Sequence, residues 1–320
     1  MVWVRGEPDA VEVASPVRRA DQRNPPAETL AGRSGPTLQS EDELVSRLYP
    51  YEILVVMRER TPLRKSLLER LPSLRLIVTT GMRNASIDVA AANQLGIVVC
   101  GTSGHSEPPA ELTWALILAL SRHIVDEVSS VRNNGLWQTS LGVDLYGKCL
   151  GLIGLGKIGN RVARVGAAFG MEVVAWSPHL TESRASEAGA SLMESLEALL
   201  ATSDIVSIHL VLGEGTYGLL GRHELNQMRS TALLINTSRA AIVDQQALIE
   251  ALQMGTIAGA GLDVFDHEPL AKDDPIRSTP KLIATPHLGY VTERNYSTFF
   301  EQVIEDIAAF ATGTPIRLLS

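Results

Sequence analysis

The chain has 320 residues, 45% of them hydrophobic and 20% charged, a composition that reads as soluble and globular and a length that calls for two cores. Its net charge of −8 excludes a general nucleic-acid or acidic-membrane partner, because no basic surplus is present to neutralise phosphates.

Residues 1–40 stand apart, with five prolines, three glycines, and five arginines balanced by five acids. They lack the apolar centre of a signal peptide and are not acid-poor like a transit peptide. Only residues 2–4 and 11–13 hint at strands, so the segment is expected to be irregular or poorly ordered. Regular structure is expected from Ser40, which with Glu43 makes a capping box for a helix to Leu48. A strand over 53–57, a helix over 63–71 and a strand over 74–80 follow. Asp88 caps a helix ended by Gly96, and residues 97–100 form a third strand. This alternation predicts a small open parallel sheet.

The loop GTSGHSEPP at 101–109 reads as a hinge between two lobes. One long apolar-faced helix is expected over 109–132, and its longest apolar run, 112–120, is too short to span a bilayer. The long connection over 135–148 holds Trp137, which suits either a subunit interface or a local core. Cys100 and Cys149 edge apolar segments and form neither a disulfide framework nor a metal site. They read as small core residues in a reducing, cytoplasmic setting, and no bound metal is expected.

The most informative stretch is CLGLIGLGKIGNRVARVGAAFGMEVVAWS, 149–177. An apolar strand runs into Gly154, Gly156 and Gly159 in GxGxxG spacing, then a helix closed by Gly170 and a second strand. A glycine at 154 permits a sharp turn, one at 156 removes the Cβ that would meet a pyrophosphate, and one at 159 lets helix and strand pack closely. The helix N-terminus then offers N–H groups, including those of Lys157 and Ile158, to the phosphates. Alone the spacing is weak; with both strands and the helix in register it predicts a dinucleotide site. Further strands are expected over 204–210, 232–236, 257–265 and 282–285, alternating with helices over 196–200, 224–228 and 244–254. A last helix over 292–310 carries one apolar face.

Three later segments complete the pattern: NTSRAAIVD at 236–244, GLDVFDHEP at 261–269 and ATPHLG at 284–289. With the glycine motif, in this order and spacing, they resemble the D-isomer-specific 2-hydroxyacid dehydrogenases from about Glu52 onward. That resemblance implies an α/β fold of two Rossmann-like, doubly wound parallel-sheet lobes. The expected layout is an irregular segment over 1–40, a flavodoxin-like substrate lobe over 41–105 and 290–320, and a dinucleotide-binding domain over 106–289. It implies an NAD(P)-dependent oxidoreductase moving hydride between the nicotinamide and a small 2-hydroxy or 2-keto acid, working as a homodimer. The acid could be glyoxylate, hydroxypyruvate or a pyruvate-like compound, with phosphoglycerate-type chemistry also in range.

Residue by residue, the resemblance makes Arg239 the substrate-orienting arginine, Glu268 the acid that pairs with the catalytic histidine, and His287 the proton donor. The chemistry suits each. A guanidinium grips a carboxylate through its fork of donors, and an imidazolium beside the developing oxyanion is a natural acid. A neighbouring carboxylate keeps that imidazole charged and oriented. Each taken alone would read as a solvated loop residue; the motif context reverses that. Thr237 and Ser238 would border the nicotinamide ribose, Asp263 would bind the carboxamide, and Gly289 would line the nicotinamide pocket. His209 ends a strand at the cofactor cleft, where a cofactor contact and a plain strand-end polar residue are both open. The turn at Gly81, Met82 and Arg83 would hold the substrate carboxylate through backbone N–H groups.

Two positions depart from the pattern. Ser177 stands where an acid usually grips the adenine ribose hydroxyls, which leaves NAD and NADP both open with a lean to NAD, since no arginine follows at once. Arg83 stands where many relatives carry a glycine, and either adds charge for an acidic substrate or points to solvent. The chain also stops soon after the last helix, which disfavours a regulated biosynthetic enzyme with an added domain. Two other readings are a nucleotide-sensing corepressor on the same scaffold and a phosphite dehydrogenase using the same trio.

Overall fold

The structure, a computed structural model, describes residues 2–4, 40–57, 59 and 61–319. The hint of a strand at 11–13, and the irregular reading of most of 1–40, lie outside the described residues. The chain divides into two compact units, residues 1–104 with 293–320, and residues 105–292.

The first unit is built on β1 (Val2–Val4), β2 (Ile53–Val56), β3 (Leu76–Thr79) and β4 (Val98–Gly101), in that spatial order. Strands β2 to β4 are parallel, whereas β1 joins the edge antiparallel to β2. Between them run α1 (Glu41–Leu48), α2 (Lys65–Leu68) and α3 (Val89–Gln94). Ser40 caps α1 by accepting from the Glu43 amide at 3.3 Å, and Asp88 caps α3 by accepting from the Ala91 amide at 2.9 Å. The helix expected over 63–71 shrinks to the four residues of α2, because Leu63 is drawn into a bridge with Ile87.

The second unit opens with α4 (Glu107–Ser121) and α5 (Ile124–Arg132). The sequence period suggests one helix here, but His123 adopts φ 51, and the chain breaks at that residue. A hydrophobic period cannot register a single left-handed residue. There follow β5 (Cys149–Ile153), α6 (Lys157–Ala168), β6 (Glu172–Trp176), α7 (Glu182–Glu187), β7 (Ser191–Leu192), α8 (Leu196–Thr202) and β8 (Ile205–Ile208). Then come α9 (Arg222–Gln227), β9 (Leu233–Asn236), α10 (Gln245–Met254), β10 (Gly259–Leu262) and β11 (Leu282–Ala284). Both α7 and the two-residue β7 escape sequence reading; neither is long enough to show a period.

The seven strands are all parallel and stand in the order β11-β10-β9-β8-β5-β6-β7. Counted from β5 this is the doubly wound order, with the strand order reversing between β5 and β8. One face is covered by apolar side chains from α8, α9 and α10, and the other by those from α4 and α6. The carboxyl ends of β5, β8, β9, β10 and β11 therefore gather at one edge. That edge carries the site.

Helix α11 (Glu293–Ala311) returns to the first unit. Phe299, Val303 and Ile307 form its buried apolar face, whereas Ile304 is 55% exposed and Asp306 is buried. Arg317 Nε donates to Asp306 Oδ1 at 2.9 Å, while Oδ2 has no partner among the described residues. Burial pushes the Asp306 carboxyl up to about 6 despite the arginine. The Gly101 amide donates to the Arg317 carbonyl and the Leu319 amide to that of Val99, so the C-terminus lines the β4 edge. Among the described residues no helix is long and apolar enough to cross a membrane.

Candidate active site

At the end of β5, Gly154 has φ +99, and its amide donates to the Trp176 carbonyl at 2.9 Å. A Cβ there would meet the His209 carbonyl at 2.7 Å, and one on Gly159 would meet the Gly154 carbonyl at 2.3 Å. Around Gly156, by contrast, a Cβ would meet nothing within 4 Å. Gly156 is also the N-cap of α6 and supplies no capping side chain, so no side chain satisfies the first amides of the helix, at Lys157, Ile158 and Gly159. Two glycines are required by the protein's own packing, and the third keeps room for something else. A dinucleotide's pyrophosphate fits that cradle in charge and in space.

At the neighbouring strand end, the His209 amide donates to the Ile153 carbonyl at 2.8 Å, and its Nε2 lies 2.9 Å from Ser207 Oγ. Burial lowers the imidazole to about 4, so this ring is neutral at ordinary pH. Ser177 follows β6 and is half-buried; its carbonyl accepts from the Leu180 amide at 3.1 Å, which turns the chain at once.

Past β9, the buried Asn236 braces the next loop. Its Nδ2 donates to the Arg239 carbonyl at 2.9 Å and its Oδ1 accepts from the Ser238 amide at 3.0 Å. Ser238 Oγ donates to the Leu210 carbonyl. Thr113 Oγ1 gives its one proton to the Pro109 carbonyl at 2.8 Å, so Thr237 Oγ1, 2.8 Å away, is the donor to Thr113. Arg239 is half-buried, and its Nη1 donates to the Ser238 carbonyl at 2.8 Å.

Glu268 and His287 meet. Nδ1 of His287 is 2.7 Å from Glu268 Oε2, while the Phe265 amide donates to Oε1 at 3.0 Å. The carboxylate is thus held by backbone on one oxygen and orients the imidazole with the other. Nδ1 carries a proton in this pairing, which leaves Nε2 for other work. His287 has φ 54 and packs edge-on against the buried ring of Tyr290, centroids 5.4 Å apart. Left-handed backbone at a non-glycine residue costs energy and persists only when neighbours impose it. Asp263 is the neighbour that does so. Its carboxylate accepts from Thr285 Oγ1 at 2.6 Å and the amides of Leu288 at 2.7 Å and Gly289 at 2.8 Å. Burial raises the Asp263 pKa, and those three donors oppose the rise. The structure thus ties Asp263 to the loop that bears His287. His267, next to Glu268, is exposed.

The Gly81 turn belongs to the first unit. Gly81, φ +110, donates its amide to Thr102 Oγ1 at 3.1 Å, so this amide is not available to a ligand. The amides of Met82 and Arg83 find no acceptor among the described residues, and both side chains are exposed. Asn84 Nδ2, buried, donates to Thr79 Oγ1 at 2.9 Å.

Asn236, Thr285, Thr113 and Thr102 were given no role in the sequence reading. Asn236 and Thr285 lie inside the quoted motifs, where short polar side chains bond nearby backbone, so position alone could have flagged them. Thr113 and Thr102 act across long sequence separations and left no signal. Among the described residues no group of three or more His, Cys, Asp or Glu side chains could hold a metal ion.

Comparison with known proteins bears on this geometry. Residues 114–289 match the family described as D-isomer specific 2-hydroxyacid dehydrogenase, NAD binding domain. A glyoxylate reductase of Aeropyrum pernix is 42% identical over 256 residues, covering 77% of this chain and 76% of its own. A D-3-phosphoglycerate dehydrogenase of Bacillus subtilis is 37% identical over 279 residues, 87% of this chain but 52% of its own, so the chain spans about half of that relative. Among solved structures, a phosphoglycerate oxidoreductase from Vibrio Cholerae o395 superimposes with a TM-score of 0.83 at 36% identity, covering 87% of this chain and 90% of that one.

Proposed function

The chain belongs to the D-isomer specific 2-hydroxyacid dehydrogenase family, and from that membership we propose that it reduces a small 2-oxo acid with His287 as proton donor, Glu268 as its partner and Arg239 as the carboxylate clamp. It is an NAD(P)-dependent oxidoreductase acting on CH–OH donors. The proposed substrates are small 2-oxo acids of the glyoxylate and hydroxypyruvate type or their phosphoglycerate-type relatives, in line with the likeness to a glyoxylate reductase and to a D-3-phosphoglycerate dehydrogenase. The cofactor supplies the hydride when bound; the amides at the start of α6 and the Gly156 opening would hold its pyrophosphate, and Thr237 and Ser238 its nicotinamide ribose. We lean to NAD, because no arginine immediately follows Ser177 to grip a 2′-phosphate.

The carrying observation is the Glu268 carboxylate shared between the Phe265 amide and His287 Nδ1. It fixes the ring so that Nε2–H of the imidazolium can protonate the oxygen that becomes negative as C2 is reduced. Arg239, charged at any working pH, orients the acid's carboxylate. The Gly81 turn is the proposed seat for the acid in the smaller unit. The test is oxidation of NADH or NADPH by glyoxylate, hydroxypyruvate and pyruvate, followed at the nicotinamide absorbance. His287→Gln should lower kcat by about 10² to 10⁴ while cofactor affinity holds. Wild-type protein that binds cofactor tightly but turns over no acid would instead favour a nucleotide sensor.

We further propose a homodimer. Helix α5 buries none of its side chains, and Ile124, Val125, Val128 and Val131 form an apolar stripe 42 to 54% exposed. The following arm exposes Leu136, Trp137, Leu141 and Tyr146 by 78 to 91%. Glu127 nevertheless pins that arm, accepting from the Thr139 amide and from the hydroxyls of Thr139 and Ser140. An ordered apolar surface of this size suits a second copy; with Asp126 at one end of α5 and Arg132 at the other, two antiparallel copies would match charge as well. Val128→Asp with Trp137→Asp should sediment as a monomer, and an unchanged mass would remove this face from the dimer. The free thiols Cys100 and Cys149 accord with a proposed cytoplasmic, reducing setting.

A further inference from the structure

The turn after β3 has more built into it than a single carboxylate requires. Its backbone is held rigidly from beneath. The Gly81 amide is tied to Thr102 Oγ1, the Thr102 amide donates to the Thr79 carbonyl at 3.0 Å, and Asn84 Nδ2 is tied to Thr79 Oγ1. The Thr80 amide donates to the Val56 carbonyl at 3.0 Å. Gly101 has no side chain to intrude, and a Cβ there would lie 2.7 Å from the Gly81 carbonyl. On this fixed base stand two amides without acceptors, at Met82 and Arg83, and the exposed Arg83 guanidinium. Among the described residues Arg83 forms no ion pair, in a chain with 36 acidic and 28 basic side chains. Rigid amides with an unpaired cation beside them make a seat for two neighbouring negative groups. The amides suit a carboxylate, and the planar fork of donors suits a second oxyanion a few bonds further along.

We propose that Arg83 selects a 2-oxo acid carrying a second anionic group, a phosphate ester or a second carboxylate, over its uncharged counterpart. This rests on the reading of the protein as a 2-oxo acid reductase and names the class of acid it prefers. The Arg83 side chain binds the second anion and takes no part in proton or hydride transfer.

The experiment uses the full chain and two matched pairs, 3-phosphohydroxypyruvate with hydroxypyruvate and oxaloacetate with pyruvate, with kcat/KM measured for each. The first pair isolates the phosphate ester and the second the carboxylate. Wild-type protein should favour the charged member of at least one pair. In Arg83→Gln that preference should fall by about tenfold, the worth of one charge-assisted hydrogen bond, through KM and with kcat little changed. Arg83→Lys should restore part of it. A preference ratio unchanged in Arg83→Gln for both pairs overturns the proposal while leaving the reductase reading intact. Absence of turnover with all four acids overturns both.

Discussion

Gly154 and Gly81 begin two turns of the same design. Each follows a buried parallel strand, each has positive φ, at +99 and +110, and each has a second glycine packed on its carbonyl, Gly159 and Gly101 respectively. The two diverge in what comes next. The Gly154 turn runs straight into the twelve residues of α6, so its amides are backed by an aligned helix and suit a bulky diphosphate. The Gly81 turn runs into an irregular stretch and offers two isolated amides with one guanidinium, the proposed seat for a small acid. A positive-φ glycine makes the turn; the continuation chooses the ligand.

Substitutions at the glycines separate these roles. The largest effect is expected from Gly159→Ala, whose Cβ would lie 2.3 Å from the Gly154 carbonyl oxygen, an immovable backbone atom. Overpacking of this kind costs about 1–3 kcal/mol, so both thermal stability and NADH affinity should fall. Gly156→Ala should dissociate the two, because its Cβ meets nothing within 4 Å of protein: the Tm should hold while NADH binding, followed by fluorescence titration, weakens at least about tenfold. Equal melting losses in both variants would break the assignment of separate roles to the two glycines. Gly101→Ala should disturb the other turn alone, raising KM for the acid with the Kd for NADH unchanged.

The smallest effect contrasts the two units by pH. His209, beneath the Gly154 turn, is held near 4 in the folded state against about 6.5 unfolded. The unfolded chain therefore binds more protons in that window, and this group removes stability as pH falls from about 6.5 to about 4. Asp306 in the smaller unit is raised to about 6. There the folded state binds more protons between about 4 and 6, so this group adds stability as pH falls through that range. Denaturant melts from pH 4 to 7 should show His209→Gln gaining relative to wild type at the acid end and Asp306→Asn gaining at the neutral end. The same sign for both variants would contradict the burial of one of the two groups.

The site was legible in the sequence to differing depths. Gly154, Gly156 and Gly159 could be read with their separate duties because each duty is local: a turn, an open space and a close helix contact a few residues apart. Glu268 and His287 were named, and their pairing expected, from the resemblance of their motifs; their spacing of nineteen residues by itself says nothing of a 2.7 Å contact. Asp263 shows the limit most clearly. Its motif suggested a group facing the cofactor but gave no sign of the three donors from residues 285–289 that also bond its carboxylate. The same limit appears in the fold. The strand and helix alternation could be read from apolar runs and caps, whereas the break at His123 and the antiparallel attachment of β1 could not.

What the sequence determined by itself was therefore everything written in short-range patterns. These were the parallel α/β layout, the dinucleotide turn, the helix caps at Ser40 and Asp88, and the identity of the residues at strand ends. Tertiary structure alone decided which of those residues meet and which donors are already used. Gly81 spends its amide on Thr102, Asn236 braces the Arg239 loop, and Asp263 holds the loop that carries a left-handed His287. The physical reason is that a hydrogen bond depends on separation in space, and parallel strands bring together ends that lie tens of residues apart along the chain.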